Sequence, residues 1–143
     1  MDWIHGIQRA LDYTEEHLTE KIDYDEVAKK AYSSSFHFQR MFTLVCGFSL
    51  ADYIRMRRLT LAAEELYRTN KKVIDVSLKY GYESPESFTR AFTKFHGITP
   101  SDAKNGENIK SFSRLFVKLI LLGGNIMDYR IEKKMAIKVL CKK

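Results

Sequence analysis

The 143-residue sequence predicts a mainly α-helical fold: two helix-turn-helix subdomains joined by a long helix, about seven helices in all, then a short C-terminal β segment or hairpin. Three observations carry that prediction. Apolar residues recur at helical spacing through residues 1–108, and nothing there alternates as a strand does. Ser, Asp, Pro and Gly stand at the ends of these runs, where helices start and stop. A set of landmark residues also repeats at an interval of 50.

Ile4, Ile7, Leu11 and Leu18 form an apolar stripe, with Arg9, Glu15 and Glu16 off it, which predicts the first helix. "DYDE" at 23–26 reads as a capping box, Asp23 as N-cap and Glu26 three residues on, so a short second helix runs to about Ala31. Ser33 and Ser34 offer a cap for a third helix, "SFHFQRMFTLVCG". Its apolar face is Phe38, Met41, Phe42 and Val45, and Gly47 suits a left-handed stop. A long helix from about Leu50 to Tyr67 carries "RMRR" at 55–58. Short helices over 72–80, 85–95 and 100–104 complete the region. Beyond the polar linker "AKNGENIKS", "FSRLFVKLILLGG" is rich in β-formers and ends in a Gly-Gly turn. In "MDYRIEKKMAIKVLCKK", Tyr129 and Ile131, then Ile137 and Val139, sit at strand alternation.

Composition narrows the function classes. At 45% hydrophobic the chain can pack a core. The longest apolar run, "LFVKLILL", is broken by Lys118 and too short to span a bilayer, and "MDWIHGIQRA" is no signal peptide; a soluble, cytoplasmic protein without membrane contact is expected. Cys46 and Cys141 match no metal spacing and read as reduced thiols; His5, His17 and His96 form no ligand set. No nucleophile–base pair, carboxylate dyad or phosphate loop occurs, so neither an enzyme nor a cofactor is expected. The net charge of +6 lies mostly in the tail: residues 1–108 hold 15 Lys/Arg against 16 Asp/Glu, and 109–143 hold 9 against 2. Within the front part, residues 29–58 carry six basic residues and one acidic, a local patch suited to phosphate.

The repeat gives these helices an arrangement. Phe38, Arg40, Phe42 and Gly47 recur as Phe88, Arg90, Phe92 and Gly97, with Ser34 matching Ser84 and Tyr32 matching Tyr82. Each copy reads as a short helix, a tight turn (Gly81 in the second) and a capped helix with a polar N-terminal face. That is the helix-turn-helix layout, whose second helix enters the major groove of DNA; a duplicated hairpin used only for packing is the alternative.

"IDVSLKYGYESPESFTRAFTKFHGITPSDAK" resembles the signature of the AraC/XylS family of transcription regulators, and "SSSFHFQRMFTLVCGFSLADYIRMRRL" resembles the first helix-turn-helix of the same family. The likeness runs over about residues 4–104 in order. Ser77 stands where the family usually has Ala, and Ala103-Lys104 replaces its Arg-rich end, which leaves the last helix's backbone contacts open. The tail resembles the opening strand of a gyrase-inhibitor-like effector domain, in which case the chain is truncated; a short accessory hairpin is the alternative. The expected division is 1–108 as DNA-binding domain, 109–127 as linker with a strand, and 128–143 as the start of the effector domain.

The resemblance implies DNA-facing roles for Ser35, Phe36, Gln39, Arg40 and Thr43 in the first recognition helix, and for Pro85, Glu86, Ser87, Thr89 and Arg90 in the second. The chemistry agrees: Gln pairs with adenine, Arg with guanine, and Phe meets a thymine methyl. Phe36 can instead pack on its own domain, and Arg40 and Arg90 can instead hold phosphates. Glu86 either accepts from cytosine N4 or steadies the helix N-terminus. Candidate phosphate contacts are Ser34, His37, Arg55, Arg57, Arg58, Ser84, Thr93 and Lys94. The three arginines cannot all face one way, and His37 can equally be solvated. The implied partners are double-stranded DNA, RNA polymerase, and a small-molecule effector acting through the C-terminal domain. Two recognition helices about 34 Å apart would let one chain read an asymmetric site of about 20 base pairs as a monomer, with the tail available for strand pairing between chains.

Overall fold

The computed structural model describes residues 2–117. Among them run seven helices: α1 (Asp2–Glu16), α2 (Tyr24–Lys29), α3 (Ser35–Cys46), α4 (Leu50–Arg68), α5 (Val73–Lys79), α6 (Pro85–His96) and α7 (Pro100–Lys104). They fold as two compact units. The first takes residues 2–16, 22–52 and 114–117; the second takes 17–21 and 53–113, so α4 passes from one to the other.

In the first unit α1 packs on α2 and α2 on α3. Ile4, Ile7, Ala10 and Leu11 are buried on α1, with Val27 and Ala28 on α2 and Phe38, Phe42 and Val45 on α3. A Cβ on Gly6 would lie 3.1 Å from the Ala31 Cα, so a side chain there requires Ala31 to give by a few tenths of an ångström. The Asp23 cap forms differently from the capping box expected. Its carboxylate accepts from the Asp25 N–H, while Glu26 pairs with Lys29 at 2.9 Å, one turn along its own helix. The reciprocal capping box forms at α7, between Thr99 and Asp102.

The second unit closes around Leu59, Ala62, Ala63 and Leu66 of α4, Val76 and Tyr80, Phe88 and Phe92 of α6, and Ala103. Beside it Glu65 receives Lys71 at 2.6 Å, Lys79 at 2.8 Å and the Tyr80 hydroxyl at 3.1 Å. Burial acts to raise the Glu65 carboxyl, but those three donors outweigh it and hold it below the ordinary value.

The duplication is a backbone fact as well as a sequence one. α3 and α6 are both 12 residues long, and each starts at a serine cap. Ser34 accepts from His37 N–H, and Ser84 from Ser87 N–H. Each helix ends on a left-handed glycine, Gly47 at φ 84° and Gly97 at φ 78°. The turns depart from the expected register by one. Tyr32, at φ 54°, occupies the left-handed position held by Gly81 at φ 87° in the second copy. Ser33 N–H then bonds Ala28 O as Tyr82 N–H bonds Ser77 O, so Tyr32 does not correspond to Tyr82. The first turn is one residue shorter before its cap. Arg9 covers it, donating to Lys30 O at 2.9 Å and stacking 5.1 Å from the Tyr32 ring.

Residues 109–117 form no strand element, and Phe116 alone makes a bridge. Instead of a free linker, the segment is docked. In the second unit Lys110 N–H donates to His96 Nδ1 at 3.0 Å, Phe112 N–H to Thr60 Oγ1 at 2.9 Å, and Arg57 to Phe112 O. In the first unit Arg114 pairs with Asp12 at 2.8 Å, Val117 N–H bonds Gln8 Oε1 at 2.7 Å, and Leu115 is buried. Burial of Phe112 and Leu115 outweighs the β propensity of this stretch. The hairpin and effector-domain strand expected from residue 118 onward lie outside the described residues.

Candidate nucleic-acid interface

Each recognition helix buries one face and presents the other to solvent. On α3 the buried side is Phe38, Phe42 and Val45. The opposite side carries Phe36, 73% exposed, together with exposed His37, Arg40 and Thr43. Gln39 is half-buried, and its amide nitrogen donates to Ser35 Oγ at 2.8 Å, so paired reading of adenine by Gln39 requires that bond to open. Thr43 Oγ1 is turned back to Gln39 O at 2.9 Å. One member of this face escaped the sequence reading. Leu44, 69% exposed, follows Arg40 by four and Phe36 by eight, so it extends the outward stripe. The available signal was its position off the Phe38–Phe42–Val45 face.

On α6 Phe88, Phe92 and His96 are buried, while Pro85, Glu86, Thr89, Arg90 and Thr93 together line one open surface cleft. Pro85 takes the first helical turn, where its missing N–H costs nothing. Glu86 lies in that same turn, placed to interact favourably with the helix dipole. Ser84 and Ser87 satisfy each other: Ser87 Oγ donates to Ser84 O at 3.0 Å and accepts from Ser84 Oγ at 3.2 Å. Their hydroxyls serve the cap first.

A second, less open groove adjoins the cleft, lined by Arg55 and Met56 of α4 and by Ser87, Arg90, Ala91, Lys94 and Phe95 of α6. Arg90 lines both. Phe95 is half-buried here.

Two of the expected phosphate contacts bond backbone carbonyls of the second unit. Arg57 is 7% exposed and its guanidinium bonds Phe112 O, because the long side chain at this register points into the second unit. Arg58 donates to Leu18 O at 2.8 Å and Glu20 O at 2.7 Å, fastening the α1–α2 loop. Arg55, two positions before Arg57 and three before Arg58 on the same helix, is exposed. The Tyr82 hydroxyl is pushed up by burial, against the opposing charges of Arg55 and Arg58.

His96 is fixed in the neutral form. Since Nδ1 accepts from Lys110 N–H, Nε2 carries the proton and donates to Leu59 O at 2.9 Å. Burial holds its pKa below 6.5, with the Leu59 carbonyl acting in the opposite sense. Among the described residues no group of His, Cys, Asp or Glu is placed to hold a metal, and no helix is long and apolar enough to cross a membrane.

The paired helix-turn-helix geometry agrees with the comparisons. Residues 27–106 match the helix-turn-helix domain family. The regulatory protein SoxS of Escherichia coli K12 is 40% identical over 99 residues, which cover 69% of this chain and 92% of SoxS. The chain belongs to the AraC family of helix-turn-helix transcription regulators. It spans only 32% of the length of a longer relative, the regulator YbfP of Bacillus subtilis, at 40% identity over 95 residues and 66% of this chain. The AraC-type fold is shared with the DNA-binding domain of AdpA, solved with its target DNA. That structure superposes with a TM-score of 0.63 at 24% identity, over 70% of this chain and 90% of that one.

Proposed function

We propose that this AraC-family chain is a sequence-specific regulator that reads double-stranded DNA with α3 and α6, each in a major groove. The observation that carries the reading is the matched presentation of Arg40 and Arg90. Both stand at the sixth position of a serine-capped 12-residue helix, exposed and on the side away from the core. An arginine so placed can bond guanine O6 and N7 in paired fashion. Around it Ser35, Phe36, Gln39 and Thr43 serve the first block, and Pro85, Glu86, Ser87, Thr89 and Arg90 the second. Ser34, His37, Arg55, Ser84, Thr93 and Lys94 flank them as backbone contacts. The reading extends to an asymmetric site of about 20 base pairs in successive grooves, bound by one chain. Contact with RNA polymerase, effector control through the C-terminal region and placement at the nucleoid rest on family likeness alone.

Selection from a random duplex pool with the full chain, at two salt concentrations, tests it. Two enriched blocks about one helical turn apart are expected. Arg40→Ala and Arg90→Ala should each relax one block and leave the other, each at a cost of about 1–3 kcal/mol in binding. A pool that returns no consensus, with binding that simply vanishes as salt rises, marks an architectural DNA binder instead.

A further inference from the structure

We infer that Leu44 is a specificity-determining residue: the C-terminal half of α3 reads pyrimidine 5-methyl groups, and Leu44 selects a thymine at the outer edge of the first block. The inference rests on the DNA-reading proposal. It adds a residue outside the set that the family likeness implies, and it names the base which that residue selects.

Leu44 is 69% exposed and follows Arg40 by four and Phe36 by eight, so the three share one side of the helix. Core packing does not account for it, because Phe38, Phe42 and Val45 already form the buried face. Arg40 is the one Lys, Arg, Asp or Glu in α3. Beyond it the exposed positions of the helix are Thr43 and Leu44. The Thr43 hydroxyl donates to Gln39 O at 2.9 Å, which leaves its methyl for an outside contact. A phosphate therefore finds no cation on this stretch. What the stretch presents is hydrocarbon, and the methyl group displayed in the major groove of unmodified DNA is that of thymine. Four residues advance about 6 Å along a helix, roughly two base-pair steps. The selected thymine accordingly lies about two pairs beyond the guanine held by Arg40, on the side away from Phe36.

The duplication supplies a contrast. Fifty residues on, at the same tenth position of a 12-residue helix, α6 has Lys94, also exposed. One backbone thus carries an apolar end on α3 and a cationic end on α6, and the outer thymine is required of the first block alone. Cytosine C5 occupies the place of thymine C5 in the groove, so a 5-methylcytosine at this step offers Leu44 the same methyl.

Binding of the full chain and its Leu44→Ala variant to the selected duplex provides the test. Each thymine of the two blocks is replaced singly by deoxyuridine, which removes the methyl and keeps the hydrogen-bonding edge. One replacement, at the outer edge of the first block, should weaken the wild type about three- to fourfold, the worth of one buried carbon, and leave Leu44→Ala unaffected. At that step the wild type should bind a 5-methylcytosine pair more tightly than a cytosine pair by a similar factor, and Leu44→Ala should not distinguish them. In a fresh selection Leu44→Lys should lose the outer thymine and keep the guanine assigned to Arg40. Leu44 is exposed, so thermal unfolding of both variants should match the wild type. If every methyl that matters does so equally for wild type and Leu44→Ala, those methyls meet Phe36 or Thr43; the inference then falls and the DNA reading stands. An unchanged consensus for Leu44→Lys overturns it likewise. A wild type with no consensus removes both readings.

Discussion

Three neighbouring arginines show how little a residue's type says about its task. Arg55, Arg57 and Arg58 share one helix, yet one is exposed in a cationic groove, one is buried on the Phe112 carbonyl, and one ties down Leu18 and Glu20. Successive helix positions are rotated by about 100°, so a run of cations is divided among faces by the packing of the helix. His96 makes the same point with a proton. Its pKa in the fold lies below the unfolded value of 6.5, so as pH falls the unfolded chain takes up the proton first. The stability it contributes is full above about pH 6.5 and is lost as pH falls through the folded pKa. Urea unfolding at about pH 7.5 and about pH 5.5 should show a smaller loss of stability on acidification for His96→Gln than for the wild type. Equal losses would mean that another group governs the acid limb. The Lys110 N–H contact, which needs a bare Nδ1, is the bond that protonation breaks.

Among the elements, the recognition helices were legible because their signals are local. A serine cap, phenylalanines four apart and a terminal glycine lie within one helix, and each acts through a neighbour no more than a turn or so away. The exposed face followed by subtraction, and Leu44 was lost because an apolar residue is ordinarily assigned inward. The described part of the segment after α7 was less legible for the opposite reason. Its polarity and β-formers are local, but its partners Thr60, Arg57 and His96 are 14 to 55 residues away. Up to Ser113 it is part of the second unit's packing. Phe112, 5% exposed and 6.1 Å from the Tyr53 ring, anchors it. Phe112→Ala should therefore cost about 3–5 kcal/mol in chemical unfolding, the range for a large buried aromatic. A free linker would lose less than about 0.5 kcal/mol, as an exposed position does.

For the molecule as a whole, two duplicated units in one chain predict a stoichiometry. Sedimentation of the full chain with the selected duplex should give one chain per site, and inverting one block alone should abolish tight binding. Two chains per site would place the second copy's recognition helix off the DNA and reduce the molecule to an ordinary half-site dimer. Residues 1–108 total −1, so attraction to DNA depends on where cations gather and not on their number. Periodicity, caps and the 50-residue repeat settled the helices, their order, the duplication and the Arg40–Arg90 correspondence, because each depends on interactions within a turn or two of the chain. Tertiary packing alone decided which of three arginines stays outside, that Tyr32 takes the left-handed turn position, and that Arg55 joins Arg90 and Lys94. Those outcomes depend on which distant residues meet, and no local pattern encodes that.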